Sequence, residues 1–414
     1  MSEQKILGLF EGIGIELEYM IVDCDTIDIK PITDEVLHSV NGSYYPDYLK
    51  PGICWSNELA LHVIELKTGK PVNSLIETAS LFQSDIGQIN SILAGHNARL
   101  LPTGAHPWMD PFRETRLWPH HYNAIYEAYN QIFDCRGHGW ANLQSAHLNL
   151  PFDSDEQFGR LHAAIRLLMP VMPALAASTP IVDSTLQRSL DHRLEVYRTN
   201  SQRIPSITGS VIPEPVFSKN DYDREILQRM YADIKPYDPE GVLQDEWLNA
   251  RGAIARFDRS AIEIRILDVQ ECPMADLAIA SLVFSTLKHI VEEQWTDYDE
   301  QRRWPVRPLA DIFFETVKNG EHAVIDNAEY LRLFGYTKSK TLTAGGLWQH
   351  IIDTLTKTGQ APTAFNNELS VILGQGTLAS RIRKRLNGDG SYQALSDIYR
   401  ELADCLAQGR MFLA

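Results

Sequence analysis

Cysteine is scarce in this chain of 414 residues, and its familiar motif spacings are absent. The five cysteines are far apart and form no Cys-x-x-Cys pair; they are Cys24, Cys54, Cys135, Cys272 and Cys405. An odd, scattered set argues against a disulfide framework and against a sulfur-ligated zinc site. We therefore expect ordinary reduced cysteines.

Long apolar runs are also absent. The most apolar stretch, Leu167 to Ser178, is short and is interrupted by Pro170 and Pro173. Because a helix needs about 20 apolar residues to cross a bilayer, we expect no membrane span. The first residues, MSEQKILGLFEG, lack the long apolar centre and the small-residue cleavage site of a signal peptide. These features predict a cytoplasmic protein.

Positive charge is in short supply. The chain has 38 lysines and arginines against 54 aspartates and glutamates, which gives a formal net charge of −16. Surfaces that bind nucleic acid carry clustered lysine and arginine, so we expect no nucleic-acid partner. If a chain this acidic binds a polyanion such as a nucleotide, bridging metal ions must supply much of the positive charge.

The motifs of several common catalytic classes are missing. Neither a G-x-x-x-x-G-K-[ST] phosphate loop nor a G-x-S-x-G nucleophile turn occurs. The histidines between Trp118 and Trp140 lack the H-E-x-x-H spacing of zinc peptidases, so we interpret them as structural residues, or as residues that support the ligands of a site, in preference to metal ligands. The G-x-G of GIGIELE leads into a strand pattern instead of a helix, which argues against a dinucleotide fingerprint.

The order of the predicted elements indicates the fold class. With 44% hydrophobic residues, the chain can bury a substantial core. Helical periodicity predicts helices over Thr78 to Arg99, Asp155 to Leu168 and Pro273 to Gln294. Long excursions separate the strand-like segments, which favours an α+β fold with a mostly antiparallel sheet over a doubly wound α/β fold. We expect an α+β domain over residues 1–300 and a helical C-terminal region over residues 301–414, packed on the same domain.

Two glutamates one residue apart lie in the first predicted strand, IGIELEYMIVD (Ile13 to Asp23). In a strand, Glu16 and Glu18 share one face, roughly 7 Å apart, while the apolar residues share the other. Like charges on one sheet face repel each other, and burial increases the repulsion. A structural role explains the pair poorly, so we expect a cation between them.

Two later segments repeat this pattern. His147 alternates with two leucines in SAHLNLPF (Ser145 to Phe152), and Glu263 and Arg265 alternate with three isoleucines in SAIEIRILD (Ser260 to Asp268). Separate solvent-facing positions of an antiparallel sheet are the alternative explanation, since such alternation is common there. The recurrence of acid, imidazole and guanidinium in three strands favours the floor of a solvated pocket.

A fourth segment, WSNELALHVIELKTGKP (Trp55 to Pro71), adds Glu58 and Glu65. The two face opposite ways in a fully extended chain, so a bend is needed to bring both to one site. Carboxylates with an imidazole suit Mg²⁺ or Mn²⁺ better than zinc. Mg²⁺ commonly lies between carboxylates and substrate phosphates, and Arg265 offers a fork of donors to phosphate. These residues predict a metal-nucleotide site on a sheet.

Together these segments resemble the glutamate-cysteine ligase family, in particular its second bacterial group of carboxylate-amine ligases. The matching pieces lie in order between about residues 10 and 295; they are GIGIELEYMIVD, NELALHVIELKT, GAHP (Gly104 to Pro107), SAHLNLPF, YRTNSQRIPSITGSVIPEP (Tyr197 to Pro215) and AIEIRILD. The resemblance implies a glutamine-synthetase-like catalytic fold, with an antiparallel sheet curved into a funnel and flanked by helices. ATP and metal ions would bind on its concave face.

The resemblance also implies roles for individual residues. The implied metal ligands are Glu16, Glu18, Glu58, Glu65, His147 and Glu263. The implied catalytic residues are Glu65, Glu263 and Arg265, and the implied nucleotide contacts are Arg198, Arg256 and Arg265. The stretch SLDHRLEVYR before Arg198 lacks the Thr-Gly and the Ser often found there in the family, which leaves the amino-acid substrate open.

The reaction implied by the resemblance is an ATP-dependent ligation of the kind used in glutathione biosynthesis, with Mg²⁺ or Mn²⁺ as cofactor. The γ-carboxylate of glutamate attacks the terminal phosphate of ATP to give an acyl phosphate, and an amine then displaces phosphate and forms an amide. The alternatives are a ligase with another acid or amine, a metal-dependent hydrolase, and a non-catalytic protein that binds metal or nucleotide. The expected partners are amino acids and ATP. Whether the chain forms a homo-oligomer is left open.

Overall fold

A computed structural model describes residues 6–414. Its strands are β1 (Gly14–Asp23), β2 (Asp47–Tyr48), β3 (Ile53–Asn57), β4 (Val63–Thr68), β5 (Ala98–Leu101), β6 (Ser145–Pro151), β7 (Ile181–Val182), β8 (Thr185–Leu186), β9 (Ala253–Arg256), β10 (Ala261–Asp268), β11 (Val324–Ile325) and β12 (Leu342–Thr343). Its α-helices are α1 (Thr33–Asn41), α2 (Leu75–Leu93), α3 (Pro111–Glu114), α4 (Asn123–Phe133), α5 (His138–Ala141), α6 (Asp155–Leu168), α7 (Pro173–Ala176), α8 (His192–Tyr197), α9 (Lys219–Tyr222), α10 (Gln228–Ile234), α11 (Pro273–Val291), α12 (Tyr298–Arg302), α13 (Val306–Asn319), α14 (Ala328–Arg332), α15 (Ala344–Lys357), α16 (Asn366–Gln375), α17 (Leu378–Leu386) and α18 (Tyr392–Gln408).

One large sheet contains eight of these strands. Its order is β2-β3-β4-β1-β6-β10-β9, with β5 paired to the second half of β1. Every pairing in this sheet is antiparallel. The predicted α+β fold, with an antiparallel sheet flanked by helices and a helical C-terminal region, is therefore confirmed.

The alternation of β1 explains its central place in the sheet. Its apolar residues Leu17, Tyr19 and Ile21 are fully buried. They belong to the main hydrophobic core together with Phe82 of α2 and Leu277 of α11. Because these helices cover the apolar face, the acidic residues of the same strand are directed to the other face.

The predicted helix over Asp155 to Leu168 is confirmed, but two other predicted helix ends are wrong. Helix α2 begins after Ser74, whose hydroxyl caps it, and the chain leaves the helix before Asn97, which has a left-handed φ of 50°. Arg99 consequently lies in strand β5. Helix α11 ends before Gln294, and Glu293 has a φ of 58°.

Helix α11 is the one helix of residues 6–414 with the length and composition of a membrane span, at a mean hydropathy of 1.4. Two-thirds of the apolar stretch, 67%, is buried inside the protein. Core helices of soluble proteins have the same composition, and α11 packs against α2 and α6.

The C-terminal helices share the core of the first 300 residues. Phe313 of α13 and Trp348 of α15 belong to the same hydrophobic cluster as Leu148 of β6. The Trp348 indole donates a hydrogen bond to the carbonyl of Val171 at 2.7 Å. A second cluster packs α17 and α18 against Met20 at the far half of β1. The division at residue 300 stays a prediction, since the core is continuous across it.

Candidate active site

Sheet register brings acids from separate segments onto one face. Glu16 of β1 lies directly opposite His147 of β6, and Glu18 lies opposite Glu65 of β4. Glu263 of β10 pairs with β6 two positions from His147. Directly opposed residues of antiparallel strands have Cβ atoms about 4.5–5.5 Å apart, so these side chains meet above the sheet.

Two overlapping groups of candidate ligands result. Glu16, His147 and Glu263 form one group and Glu18, Glu65 and His147 the other, each with its ligand atoms within 4.8 Å of one another. Nδ1 of His147 is 3.0 Å from Glu16 Oε2 and 3.9 Å from Glu263 Oε1. Its Nε2 is 3.7 Å from Glu18 Oε1. The imidazole therefore stands between the two groups.

Hydrogen bonds orient the two glutamates of β1. The backbone N–H and the hydroxyl of Ser145 donate to Glu18 Oε2 at 2.7 and 3.1 Å. The Asn149 amide donates to Glu16 Oε1 at 3.0 Å. One oxygen of each carboxylate is thus fixed by a donor of β6, and the other oxygen faces His147.

Glu58 reaches the same cavity through the bend that the sequence required. Strand β3 ends at Asn57 and β4 begins at Val63, with Glu58 in the connection between them. Glu58 lines the cavity but belongs to neither ligand group. Burial, together with repulsion from Glu18 and Glu65, raises the pKa of Glu58 well above its ordinary value. Glu58 therefore lies beside the second group.

The facing carboxylates make the site strongly attractive to cations. Burial and the charge of Glu65 raise the pKa of Glu16, and burial raises the pKa of Glu18. Burial opposes ionisation of Glu65, but the Lys67 ammonium lowers the pKa of Glu65 to about 2. Burial also opposes charge on His147, yet Glu16 and Glu18 raise its pKa to about 9. The protonated imidazole is one cation that can balance the pair of glutamates on β1.

The donor set fits a hard divalent cation. Carboxylate oxygens with one imidazole nitrogen are ligands that Mg²⁺ and Mn²⁺ accept. A neutral imidazole has one free lone pair, so His147 can ligate an ion in one group at a time. An ion in the other group would be held by carboxylates alone.

Arginines border the acids on the side of β9 and β10. Arg265 Nε donates to Glu263 Oε1 at 2.5 Å, and Arg256 Nη1 is 3.8 Å from the other oxygen of Glu263. Arg259 lines the same open cavity, whose volume is about 500 Å³. Guanidinium forks suit phosphate oxygens, so this side of the cavity can receive a phosphate chain.

A β-bulge in β10 adds an acid that simple alternation misses. The register shifts between Ile264 and Leu267, so that two residues of β10 oppose His147. After the shift, Asp268 pairs with Ser145 and shares the face of the acids. Bulges are frequent next to active sites, where they redirect side chains.

Asp268 positions an arginine that the sequence analysis did not identify. Arg193 Nε donates to Asp268 Oδ1, and the hydroxyls of Ser178 and Thr179 donate to Asp268 Oδ2 at 3.2 and 3.1 Å. Gly104 of the GAHP segment permits this packing, because a Cβ there would lie 2.7 Å from Cγ of Asp268. The buried ion pair holds Arg193 on the cavity wall.

The structure does not bring Arg198 to the cavity. Arg193 and Tyr197 are four residues apart on α8 and both line the cavity. Successive side chains of a helix are rotated by about 100°, so Arg198 points away from the cavity that Tyr197 faces. Arg198 is 2.9 Å from Glu195 and lies over the Phe314 ring, with 43% of its side chain exposed. The arginine of this segment that lines the cavity is Arg193, and the nucleotide contact of Arg198 stays a prediction.

Comparison with solved structures identifies the class of fold. The glutamate-cysteine ligase of Francisella tularensis, solved in complex with AMP, superimposes with a TM-score of 0.59 and 14% identity, over 99% of this chain and 90% of that one. A bifunctional glutathione synthetase of Pasteurella multocida gives a TM-score of 0.58 and 16% identity, over 97% of this chain. The chain spans about half, 52%, of that bifunctional protein. The fold is thus that of the glutamate-cysteine ligases.

Sequence comparison then establishes the family. The family model described as "Glutamate-cysteine ligase family 2(GCS2)" matches residues 12–311, and the chain belongs to this family. An "Uncharacterized protein" of Archaeoglobus fulgidus is 36% identical over 78% of this chain and 88% of its own length. Two relatives are named "Putative glutamate--cysteine ligase 2". The protein of Bradyrhizobium is 27% identical over 67% of this chain and 61% of its own length. The protein of Legionella pneumophila is 22% identical over 77% of this chain and 83% of its own length.

Proposed function

We propose that this protein is an ATP-dependent carboxylate-amine ligase of the glutamate-cysteine ligase type. One observation carries the proposal: two ligand groups share His147 in a cavity whose adjoining side bears Arg256 and Arg265. The acids can hold Mg²⁺ or Mn²⁺, and the arginines can hold phosphate. A substrate carboxylate and an amine that bind where the acidic residues adjoin the arginines would lie beside the transferred phosphoryl group.

The proposed roles follow from position in the cavity. Glu16, Glu18, Glu58, Glu65, His147 and Glu263 would hold the metal ions. Bound ions supply charge neutralisation and alignment of the phosphate oxygens. Arg265 is fixed by Glu263 and Arg256 approaches the same acid, so both would orient the terminal phosphate through their remaining donors. Arg193 would add a buried positive charge beside them.

The proposed reaction needs no nucleophile from the protein. A substrate carboxylate, expected to be the γ-carboxylate of glutamate, attacks the terminal phosphate of ATP and releases ADP. The amine then attacks the acyl phosphate, releases phosphate and forms the amide after losing a proton. No cysteine lines the described cavity, which agrees with a mechanism that leaves the protein unmodified.

The comparisons support nucleotide use. The structurally similar Francisella protein was solved with AMP, and relatives carry names of glutamate-cysteine ligases. We therefore propose ATP and amino acids as the partners of this chain. A cytoplasmic location is proposed separately, from the sequence features described above.

The decisive experiment measures ADP release from the purified protein with ATP, Mg²⁺ and glutamate while candidate amines are varied. We expect ADP release to require the amine and the metal, with mass spectrometry showing an amide in equal amount. ADP or phosphate release without an amide product would favour a hydrolase. Tight binding of Mg²⁺ and ATP without any turnover would favour a non-catalytic binding protein. An active ligase that rejects glutamate would retain the chemistry with another acid.

A further inference from the structure

One face of helix α4 lines the cavity with aromatic and apolar side chains. Tyr122, Ile125, Tyr126 and Tyr129 all border the cavity. Ile125, Tyr126 and Tyr129 are spaced by one, three and four residues, which places them on one side of the helix, and Tyr122 is the residue that precedes it. The aromatic wall is completed by two tryptophans from other elements; its members are Tyr122, Tyr126, Tyr129, Trp140 and Trp247.

Within the aromatic wall, the Tyr129 ring packs against Trp140 and Trp247 without stacking face to face. The Tyr129 ring centroid is 5.2 Å from that of Trp140 and 6.0 Å from that of Trp247, with tilted planes. The Trp140 indole donates to the carbonyl of Asn200 at 3.2 Å, which fixes its ring. All three rings remain partly exposed toward the cavity. Covering a fixed aromatic surface of this kind with a ligand ring is favourable and contributes to binding.

The aromatic wall lies directly against the proposed reacting centre. The Asn57 amide donates both to the Tyr126 hydroxyl and to the backbone carbonyl of Glu58, each at 3.1 Å. Tyr126 is therefore next to the acids. Tyr129 lines the same cavity as Arg265 and Arg256. Burial raises the pKa of Tyr129, and the charge of Arg265 opposes that rise. The aromatic wall thus spans both halves of the site.

We propose that the aromatic wall stacks a planar ring carried by the amine substrate, and that the preferred amine is a ring-bearing amine and not cysteine. This inference rests on the proposed ligase function. In ATP, ribose and two phosphate groups separate adenine from the transferred phosphoryl group. A ring bound beside Glu58 and Arg265 therefore belongs to a substrate whose reacting group is close to its ring. The thiol side chain of cysteine is too small to cover the wall.

The test compares amines in the ADP-release assay with saturating ATP, Mg²⁺ and glutamate. We expect kcat/KM for L-phenylalanine or L-tyrosine to exceed kcat/KM for L-cysteine by about tenfold, which corresponds to about 1.4 kcal/mol. Trp247→Leu and Tyr129→Leu should raise the KM for the ring-bearing amine by about tenfold and leave the KM for ATP unchanged. Phe112→Leu, at an aromatic residue that is 67% exposed outside the cavity, is the matched control.

Two results would overturn the inference. The first is a kcat/KM for cysteine or alanine equal to that for the aromatic amines. The second is a rise in the KM for ATP in both wall variants, which would place adenine on the wall.

A binding measurement separates this inference from the ligase proposal. If no amine supports ADP release, the proposed function fails, and calorimetric titration of L-phenylalanine in Mg²⁺ and ADP still tests the wall. Binding that is lost in Tyr129→Leu, at an unchanged melting temperature, supports the ring site. Absence of binding to the unsubstituted protein overturns it.

Discussion

At the level of single residues, the proposed chemistry depends on the direct opposition of Glu16 and His147. Glu16 is held by Asn149 on one oxygen and faces the imidazole with the other. The carboxylate is therefore oriented before any ion arrives, which lowers the entropy lost on metal binding. His147 is equally constrained, because its two nitrogens face different glutamates.

Glu16→Gln should reduce ADP release by about 100-fold or more, since it removes a charged ligand while keeping the shape of the side chain. The melting temperature should change little or rise, because the substitution relieves repulsion among buried acids. Glu156→Gln is the matched control, since Glu156 lies outside the cavity with 77% of its side chain exposed. Full activity of Glu16→Gln would refute the role of Glu16 in holding metal.

Arg193 and Arg198 give a second prediction at this scale. Arg193→Ala leaves Asp268 buried without its cation and should destabilise the protein by about 3–5 kcal/mol. Arg198→Ala changes an exposed side chain and should stay within about 0.5 kcal/mol, with ADP release unchanged. Urea unfolding measures the stability of both variants, and the ADP-release assay measures their activity. If Arg198→Ala raises the KM for ATP strongly, the side chain must reach the cavity in the working enzyme.

At the level of elements, period-two alternation made much of the site predictable. It places Glu16, His147, Glu263 and Arg265 on one face of their strands, and the same rule would have identified Lys67 beside Glu65. The bulge that redirects Asp268 was not predictable, because an extra residue in β10 is defined only by pairing with β6. Which of Arg193 in α8 and Arg198 just after it lines the cavity was equally unpredictable, since it depends on how the helix is rotated against the sheet.

The segment before β9 is organised by one ion pair that can be tested by pH. Arg251 donates to both oxygens of Glu214 at 2.6 and 2.7 Å and to the Ser206 carbonyl at 3.0 Å. Gly209 packs against this guanidinium, since a Cβ there would lie 3.2 Å from it, and its φ is +56°. Burial opposes ionisation of Glu214, but Arg251 lowers its pKa below the ordinary 4.5.

Glu214→Gln should therefore destabilise the protein by about 1.5–3 kcal/mol at pH 7. A lowered pKa in the folded state stabilises above pH 4.5, and this contribution is lost as the pH falls through the folded-state pKa. The difference in unfolding free energy between the two proteins should thus shrink below pH 4.5. Exposed Glu240→Gln should show no such pH-dependent difference. A difference that stays constant to pH 3 would contradict the ion-pair explanation.

At the level of the whole molecule, the fold class was predictable, but the individual contacts that join the C-terminal helices to the first 300 residues were not. Composition and element order indicated an antiparallel sheet with helices and a helical C-terminal region. The sequence could not show that Tyr330 of α14 donates its hydroxyl to Leu167 of α6 at 2.8 Å, because such a contact joins segments far apart in the chain. The C-terminal helices complete the core behind the sheet that carries the site.

The ion pair between Glu271 and Arg381 allows a direct test of whether the C-terminal helices and the first 300 residues form one core. Both side chains are fully buried, Arg381 also donates to the carbonyl of Phe412, and the Phe412 N–H donates to Glu271 at 3.2 Å. Arg381→Met leaves a buried carboxylate unpaired and should lower the free energy of unfolding by about 3–5 kcal/mol. Adding Glu271→Gln should restore part of this loss, since no uncompensated charge remains.

Arg385→Met provides the control on the same helix, because the Arg385 side chain is 44% exposed and its pair with Glu401 should contribute at most about 1 kcal/mol. Urea unfolding followed by tryptophan fluorescence reports all four proteins. If the C-terminal helices are part of the single core, Arg381→Met should shift one cooperative transition and lower the temperature at which ADP release is lost. An early partial transition that leaves ADP release intact would instead mean that residues 301–414 unfold independently of the site.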